Sequence, residues 1–163
     1  MHKILLISTG GTFNKVYDPL NGTLFVDKSS SALREIASKW LCEFEILNII
    51  GKDSLDMNSQ DRLELLATIS RSEFENIIVI HGTDTMELSA EYLAGSDVEK
   101  KIILTGAMVP YAIDPVEATA NLSSAFGYIQ SLSESGVYIV MNSLFGSYEN
   151  IKKEKKKGRF ILS

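Results

Sequence analysis

Two segments place hydroxyl and carboxylate side chains directly after an apolar run of residues. They are residues 9–12 (Thr-Gly-Gly-Thr) and 81–85 (His-Gly-Thr-Asp-Thr). Each pattern is typical of a buried strand that ends in a glycine-containing turn. If the two strand ends are neighbours, the hydroxyls of Thr12 and Thr83 meet the carboxylate of Asp84 in one crevice. A hydroxyl beside a proton acceptor can act as a nucleophile, so the two segments together predict hydrolytic chemistry.

Both segments also have plainer interpretations. The glycines of the first let a ligand approach the backbone, whose N–H groups can stabilise an oxyanion, or they only shape a turn. In the second, a helix that starts near Thr85 directs N–H groups and a positive dipole end towards the crevice, where a substrate carboxylate can bind. Asp84 can attract a substrate ammonium, or Asp84 or Thr83 can simply cap the helix. We interpret His81 as a structural, hydrogen-bonded histidine.

A threonine hydroxyl needs a group that takes its proton before it can attack. Tyr17, shortly after Thr12, is one candidate, and a lysine of the basic stretch 152–159 is another. Most lysine clusters are solvated faces, so the stretch by itself indicates little. Ser54 follows the second predicted strand, and it reaches the same crevice if that strand lies beside the first. Otherwise Ser54 belongs to a solvent-exposed turn.

The composition narrows the class of protein. The 163 residues are 45% apolar and 23% charged, which is ordinary for one soluble globular domain. The net charge of −5 argues against general binding to nucleic acids or membranes. Cys42 is the single cysteine, so no intrachain disulfide is possible, and we expect it to be buried. No metal site is expected, because His2 and His81 are the only histidines and His2 is terminal. Lys3 begins a short strand and not a signal peptide, so a cytoplasmic location is expected.

Short apolar runs alternate with helical patterns along the chain. The runs are continuous in Ile, Leu and Val, as expected for strands buried on both faces. Asn58 with Asp61, and Asp114 with Pro115 and Glu117, form the clearest signals for helix starts. The predicted strands are 3–8, 44–50, 77–80, 101–105 and 137–141, and the predicted helices are 31–39, 59–70, 85–94 and 115–131.

This alternation predicts an α/β fold with three layers, a Rossmann-like (flavodoxin-like) parallel sheet flanked by helices. The five strands suggest the order 2-1-3-4-5, in which ligands bind beyond the carboxyl ends of strands 1 and 3. The two hydroxyl-rich turns follow these strands. Residues 13–22 and those after Asn142 are predicted as loops. A nucleotide-binding domain is disfavoured, because the third glycine of the dinucleotide fingerprint and the P-loop spacing are missing.

Taken together, these motifs resemble the L-asparaginase and glutaminase amidohydrolases, the bacterial-type threonine amidases. Residues 9–12 and 81–86 (His-Gly-Thr-Asp-Thr-Met) are similar to the two signatures of that family. Residues 105–110 (Thr-Gly-Ala-Met-Val-Pro) and 140–142 (Val-Met-Asn) match further typical segments. The resemblance covers nearly the whole chain and corresponds to the family's larger N-terminal domain. Residues 1–163 are therefore expected to form one such domain, without the family's second, C-terminal domain.

The resemblance implies roles for individual residues by position. Thr12 would be the nucleophile that forms an acyl-enzyme, and Tyr17, in a Tyr-x-Pro-x-x-Gly stretch, would activate it or close the site. Lys153 would join Thr83 and Asp84 in a second catalytic group. Asp84 would also bind the substrate α-amine and Ser54 its α-carboxylate. The substrate-binding set implied is Gly11, Ser54, Leu55, Thr83 and Asp84, with Leu55 standing where family members often have Gln.

The function implied by the resemblance is hydrolysis of L-asparagine, or a related small amide, to L-aspartate and ammonia. No metal or organic cofactor is implied. In the full-length family the second domain assembles the tetramer and lends an acidic residue to a neighbouring site. The alternative is an amino-acid-binding module that retains the pocket and hydrolyses slowly or not at all. A homodimer would cover surface that relatives bury against their second domain.

Overall fold

The structure, a computed structural model, describes residues 3–163. Its helices lie close to their predicted positions: α1 (Ser31–Lys39), α2 (Ser59–Arg71), α3 (Met86–Ala94) and α4 (Pro115–Ser131). Within these residues the strands are β1 (Ile4–Gly10), β2 (Lys15–Asp18), β3 (Thr23–Val26), β4 (Glu45–Lys52), β5 (Asn76–Ile80), β6 (Lys101–Thr105), β7 (Gly136–Met141), β8 (Leu144–Ser147), β9 (Ile151–Glu154) and β10 (Arg159–Leu162).

The central sheet has the strand order β4-β1-β5-β6-β7-β8. The first five of these strands are parallel and correspond to the five predicted strands, so the predicted order 2-1-3-4-5 is confirmed. β8 adds an antiparallel strand at the edge beside β7. β1 and β5 run side by side with Ser8 opposite Ile80, so the turns that follow them start at the same edge of the sheet.

Alternate residues of each central strand pack on opposite faces of the sheet. Leu6 and Ile80 contact the core formed with α1 and α4. Ile7 and Val79 belong to the core formed with α2 and α3. All four side chains are fully buried. This three-layer arrangement confirms the predicted fold class and explains why the strand sequences are continuously apolar.

The alternative that Asp84 or Thr83 caps α3 is wrong, because the N-cap residue is Thr85 and no side chain within residues 3–163 forms a capping bond there.

The starts of α2 and α4 follow the sequence signals with one exception. At the start of α2, Asn58 Oδ1 accepts the backbone N–H of Asp61 at 3.0 Å, and Asp61 Oδ2 accepts that of Asn58 at 2.9 Å. Asp114 caps α4 through the N–H of the residue two positions on. Glu117 does not close a capping box there, because its Oε1 accepts the backbone N–H of Met108 at 2.8 Å and orders that loop instead.

Two segments predicted as loops are structured. Residues Thr12–Asn14 form a short 3-10 helix, and the hairpin β2–β3 follows, with the glycine and proline signals in its turn. Residues after Asn142 form β8 and the hairpin β9–β10, where Ile151 and Phe160 are buried in the core with α2 and α3. Ile151 stands alone before the charged stretch and only three apolar residues follow it, a pattern too short to predict a hairpin. Cys42 is exposed, so the prediction of a buried cysteine was also wrong.

The longest helix, α4, has 17 residues. Within residues 3–163, no helix combines the length and apolar character that a membrane span requires. The apolar runs in this part of the chain instead form the core between the sheet and its helices.

Candidate active site

The turns after β1 and β5 touch each other through their backbones. Gly11 has φ 72° and ψ 178°, a conformation that is essentially restricted to glycine. A Cβ atom at Gly11 would lie 2.6 Å from the backbone N of Gly82. The hydroxyl of Thr9 forms a second link by donating to the carbonyl of Ile80 at 2.8 Å. The predicted adjacency of the two turns is confirmed, and half-buried Thr12 follows this contact directly.

The turn after β4 lies against the same glycine contact. A Cβ atom at Gly82 would lie 2.6 Å from both Cβ and Oγ of Ser54. The backbone N–H of Thr85 donates to Ser54 Oγ at 3.2 Å, and Thr85 Oγ1 donates to the Ser54 carbonyl at 2.9 Å. Ser54 is fully buried, whereas Leu55 is 68% exposed. Ser54 therefore supports the 81–85 turn from inside the protein, and Leu55 faces solvent.

Gly11 is a structural contact more than a hydrogen-bond donor to a ligand. Its N–H already donates to the carbonyl of Lys52 at 2.9 Å. The same strand end is held by Lys52 Nζ, which pairs with Asp61 Oδ2 at 3.0 Å. A ligand would therefore meet Gly11 through close approach to its backbone. The N–H group of Gly11 is already used to join the ends of β1 and β4.

Lys153 joins Thr83 and Asp84 in one hydrogen-bonded group. Its Nζ donates to Thr83 Oγ1 at 2.7 Å and to Asp84 Oδ1 at 2.9 Å. The Lys153 side chain is 13% exposed and that of Asp84 is 35% exposed. Thr83 is buried. Since β9 is far from the 81–85 turn in sequence, tertiary packing alone assembles this group, and the partly buried ion pair holds the amine in one orientation.

Within residues 3–163, Tyr17 makes no hydrogen bond to this group. It is 61% exposed on β2, and its hydroxyl lies along its own hairpin, 3.9 Å from where a Cβ atom of Gly22 would stand. The hairpin is tied to the Ser54 turn through Lys15 Nζ and Asp53 Oδ2, which are 2.6 Å apart. Burial would raise the pKa of the Asp53 carboxyl, but the hydrogen bonds from Lys15 and from the Leu55 N–H outweigh burial and lower it.

A buried chain of hydrogen bonds lies behind the 81–85 turn. His81 is completely buried, with Nδ1 2.7 Å from the Gly82 carbonyl and Nε2 2.7 Å from Ser89 Oγ. A carbonyl can only accept, so Nδ1 carries the proton and Nε2 accepts from the Ser89 hydroxyl. Arg62 Nε donates to Ser89 Oγ at 3.1 Å, and Arg62 Nη2 donates to Thr85 Oγ1 at 3.2 Å.

The imidazole of His81 is held neutral by this environment. Burial is the largest effect, and it lowers the pKa of His81 from 6.5 to about 4. The bond to the Gly82 carbonyl opposes that change, and the charge of Arg62 reinforces it. A neutral, fully hydrogen-bonded imidazole in the protein interior is suited to fixing the turn, and not to exchanging protons with a substrate near neutral pH.

The sequence patterns did not point to several residues that shape this site. Arg62 occurs in an ordinary helical stretch, and its partners become visible only when α2 packs on α3. Asp53 precedes Ser54 directly and caps the short helix 54–56, so a capping search could have found it. Lys15 carries no local signal, because its partner is set by the position of the hairpin.

A cavity of about 580 Å³ opens beside Lys153. Its wall includes the charged side chains of Asp84 in the 81–85 turn, Glu87 and Glu91 on α3, and Lys152 on β9. Asp84 and Lys153 border the cavity, whereas Thr12 and Ser54 do not line it. The lysine group therefore has an open, charged side that is separate from the contact between the turns.

Metal ligands are not clustered in the described part of the chain. Within residues 3–163, no three or more His, Cys, Asp or Glu side chains are arranged to hold a metal ion. His2 lies outside the described residues. The groups available for chemistry at the strand ends are the hydroxyls of Thr12 and Thr83 and the ion pair of Asp84 with Lys153, which suit acid–base and nucleophilic chemistry.

Comparison with known proteins relates this arrangement to one family. The family model described as "Asparaginase, N-terminal" matches residues 3–159. A probable periplasmic L-asparaginase from Haemophilus influenzae is 29% identical over 153 residues, which are 86% of this chain and 43% of that protein. A glutamyl-tRNA(Gln) amidotransferase component from Methanococcus vannielii is 30% identical over 153 residues, 87% of this chain and 34% of that protein.

Solved structures show the same fold. The thermostable L-asparaginase from Thermococcus kodakarensis matches with a TM-score of 0.83 at 22% identity, over 98% of this chain and 51% of that one. The chain thus spans about half, or less, of the length of the relatives it matches. Because the family model covers nearly the entire sequence, this chain belongs to the asparaginase family and matches its N-terminal domain.

Proposed function

We propose that this chain carries the catalytic groups of an amidohydrolase that cleaves L-asparagine, or a related small amide, to the acid and ammonia. The observation that carries the proposal is the hydrogen-bonded group in which Lys153 Nζ contacts Thr83 Oγ1 and Asp84 Oδ1. This group stands next to the turn that presents Thr12, since Gly11 packs on Gly82. Membership of the asparaginase family supports amide chemistry as the class of reaction.

In the proposed reaction, the Thr12 hydroxyl oxygen forms a bond to the amide carbonyl carbon, and the carbon–nitrogen bond breaks. Lys153 is an ammonium in its ion pair with Asp84, so it must first release one proton to solvent in the adjoining cavity. The neutral amine then keeps an N–H group for each of its two oxygen partners and has a lone pair for a proton. The lone pair receives the Thr12 proton through the Thr83 hydroxyl when the bond between Thr83 and Lys153 reverses direction. The proton then passes to the leaving nitrogen, which departs as ammonia. Water hydrolyses the resulting ester by the reverse transfers and restores the Thr12 hydroxyl.

Substrate binding would use the same edge of the sheet. The Asp84 carboxylate accepts from Lys153 through Oδ1, which leaves Oδ2 for a substrate ammonium. Ser54 accepts from the Thr85 N–H, so its own hydroxyl hydrogen can donate to a substrate carboxylate once the turn above it opens. Leu55 would offer apolar surface only. Gly11 would give close access to the backbone, and Tyr17 would cover the site after the hairpin moves.

An amino-acid-binding module with slow or no turnover is the second candidate. One observation favours it: Tyr17 is 61% exposed on its hairpin. In this arrangement the phenol that would activate Thr12 or cover the site is not in place. A protein that binds an amino acid without turning it over would show the same feature.

Ammonia release by the purified chain separates these candidates. L-Asparagine, L-glutamine and simple primary amides would be compared for wild type, Thr12→Val and Thr12→Ser. Valine has nearly the volume of threonine without the hydroxyl, so we expect Thr12→Val to lose turnover by on the order of 10³-fold or more, with its melting temperature unchanged. Thr12→Ser keeps a hydroxyl and should retain measurable activity. Hydroxylamine should trap the ester as a hydroxamate in wild type and not in Thr12→Val.

Two results would contradict the enzyme proposal. Equal ammonia release by wild type and Thr12→Val would exclude Thr12 as the nucleophile. Calorimetric binding of L-aspartate by a wild-type protein that releases no ammonia would instead support the binding module. A drop in melting temperature of Thr12→Val would indicate a structural role for the hydroxyl.

Several expectations about the whole protein stay predictions. These are the single-domain organisation of residues 1–163, a homodimer, and a cytoplasmic location without nucleic-acid or membrane partners. The relative from Haemophilus influenzae is named as a periplasmic protein, so the family does not fix the compartment. Light scattering of the purified chain would measure the oligomeric state directly.

A further inference from the structure

We propose that Glu87 is a positioning residue that holds Lys153 in place for the reaction. Glu87 lies in the first turn of α3, and its Oε1 accepts the backbone N–H of Lys153 at 2.7 Å. The inference rests on the proposed role of Lys153 and adds a residue outside the catalytic group. Glu87 acts on the lysine backbone, so it would influence the reaction only through the position of the amine.

Lys153 is bound at both of its ends by one short segment. Its Nζ donates to Thr83 and Asp84, and its backbone N–H donates to Glu87. All three acceptors lie within residues 83–87, where the turn passes into α3. The lysine side chain therefore spans two fixed points of a single rigid element. A shift of the backbone point would withdraw the amine from both oxygen partners.

The strand that carries Lys153 needs such an attachment. β9 pairs with β10 in a sheet of two strands, with Lys153 opposite Phe160. A two-stranded ribbon is marginally stable by itself and depends on packing against the rest of the protein. Ile151 and Phe160 provide that packing on the apolar side, because both are buried. The carboxylate of Glu87 adds a charge-assisted hydrogen bond to the backbone at the catalytic position itself.

Two substitutions at Glu87 separate the hydrogen bond from the charge. Glu87→Gln keeps an oxygen that can accept the Lys153 N–H and removes the negative charge. Glu87→Leu removes both. Glu91→Leu is the matched control, since Glu91 lies one turn further along α3 and borders the same cavity. In the described part of the chain, the Glu91 carboxylate makes no hydrogen bond to β9.

Hydrogen exchange of the Lys153 amide, followed by NMR, tests the contact without any assay of turnover. We expect wild type, Glu87→Gln and Glu91→Leu to protect this amide similarly. Glu87→Leu should raise its exchange rate by on the order of 10-fold, while the amides of β1 and β5 keep their protection. Unchanged protection of the Lys153 amide in Glu87→Leu would overturn the proposal.

Turnover gives the second readout. Glu87→Leu should lower kcat by on the order of 10- to 100-fold with little change in KM, because a displacement of about 1 Å in a catalytic group has this effect. Glu87→Gln should stay within about threefold of wild type because its acceptor oxygen remains. Equal losses in Glu87→Gln and Glu87→Leu would overturn the hydrogen-bond account. If wild type releases no ammonia, the proposed function fails, and the exchange experiment still decides the role of Glu87.

Discussion

The contact between Gly11 and Gly82 can be tested by adding one methyl group. In Gly11→Ala, the new Cβ would lie 2.6 Å from the N and 2.8 Å from the Cα of Gly82. These atoms belong to the backbone of a turn that Ser54 and Thr85 already hold, so they cannot swing aside as a flexible side chain does. The substitution must therefore strain the turn or separate the ends of β1 and β5.

The size of the effect follows from two contributions. At φ 72° and ψ 178° a side chain is strongly disfavoured, which costs about 1–3 kcal/mol. Overpacking at a tight contact adds about 1–3 kcal/mol. We expect Gly11→Ala to lower the free energy of unfolding by about 2–6 kcal/mol, a large part of the roughly 5–15 kcal/mol that stabilises a typical domain. Ammonia release should fall as well, because Thr12 directly follows the displaced residue.

Alanine substitutions at two other glycines distinguish the cost of backbone strain from the cost of the steric clash. Gly158 has φ 57° and ψ 40°, and a Cβ there would meet no heavy atom within 4 Å, so Gly158→Ala should cost only about 1–2 kcal/mol of left-handed strain. Gly127 lies inside α4, where a Cβ also meets nothing within 4 Å. Gly127→Ala should therefore stabilise the protein by about 0.5–1 kcal/mol.

Urea unfolding followed by circular dichroism would measure all three variants under one condition. The expected order of stability is Gly127→Ala, wild type, Gly158→Ala and then Gly11→Ala. If Gly11→Ala costs no more than Gly158→Ala, the backbones of the two turns are not in contact in solution. In that case the shared site of Thr12, Thr83 and Asp84 would lose its structural basis.

Three further predictions concern single side chains. The pKa of His81 is about 4 in the folded protein and 6.5 unfolded, so the unfolded chain binds more protons between these values. The free energy of unfolding should thus fall by about 3 kcal/mol as the pH drops from 6.5 to 4, and an equally steep fall in His81→Gln would contradict this. Arg62→Met should lower the free energy of unfolding in urea by about 2 kcal/mol, because the buried Ser89 hydroxyl loses a charged donor. Arg62→Lys should recover part of this loss. If Arg62→Met loses no stability, the hydrogen bond between Arg62 and Ser89 does not stabilise the fold. Lys153→Met should lower kcat for ammonia release by about 10²- to 10⁴-fold at unchanged melting temperature. Lys155 is exposed, so Lys155→Met should match wild type. Similar losses of kcat in both variants would show that only the positive charge of the segment matters.

The edge of the sheet that carries the site could be predicted from local patterns. Continuous apolar strands imply burial on both faces, and alternation with helices implies a parallel sheet. The glycines at 10, 11 and 82 mark the turns because only glycine permits such close backbone approach. These inferences succeed because they depend on residues that are near one another in sequence. The position of β1 beside β5 came instead from the common order of five-stranded sheets of this class, and the structure has that order.

Lys153 shows where this reasoning ends. In the sequence it is one of several similar lysines, and only the family resemblance selected it. Its distinction arises in three dimensions, because Ile151 and Phe160 bury the hairpin and turn the Lys153 side chain inward. Those two apolar residues are separated by a run of charges and carry no recognisable period. Arg62 was missed for the same reason, since its partners on α3 are set by how two helices pack.

The groups at the site differ in how firmly they are held, and this difference bears on how a substrate would enter. Ser54 is locked beneath Gly82 by backbone contacts and two hydrogen bonds, so exposing its hydroxyl requires movement of the entire 81–85 turn. The hairpin that carries Tyr17 is tied to the Ser54 turn by the pair of Lys15 and Asp53, whose side chains are 25% and 24% exposed. That pair joins the hairpin to the turn through two flexible side chains, whereas Ser54 is held by contacts of the backbone itself. We therefore expect the hairpin to move before the turn does, so that Tyr17 reaches a bound amide more readily than Ser54 does.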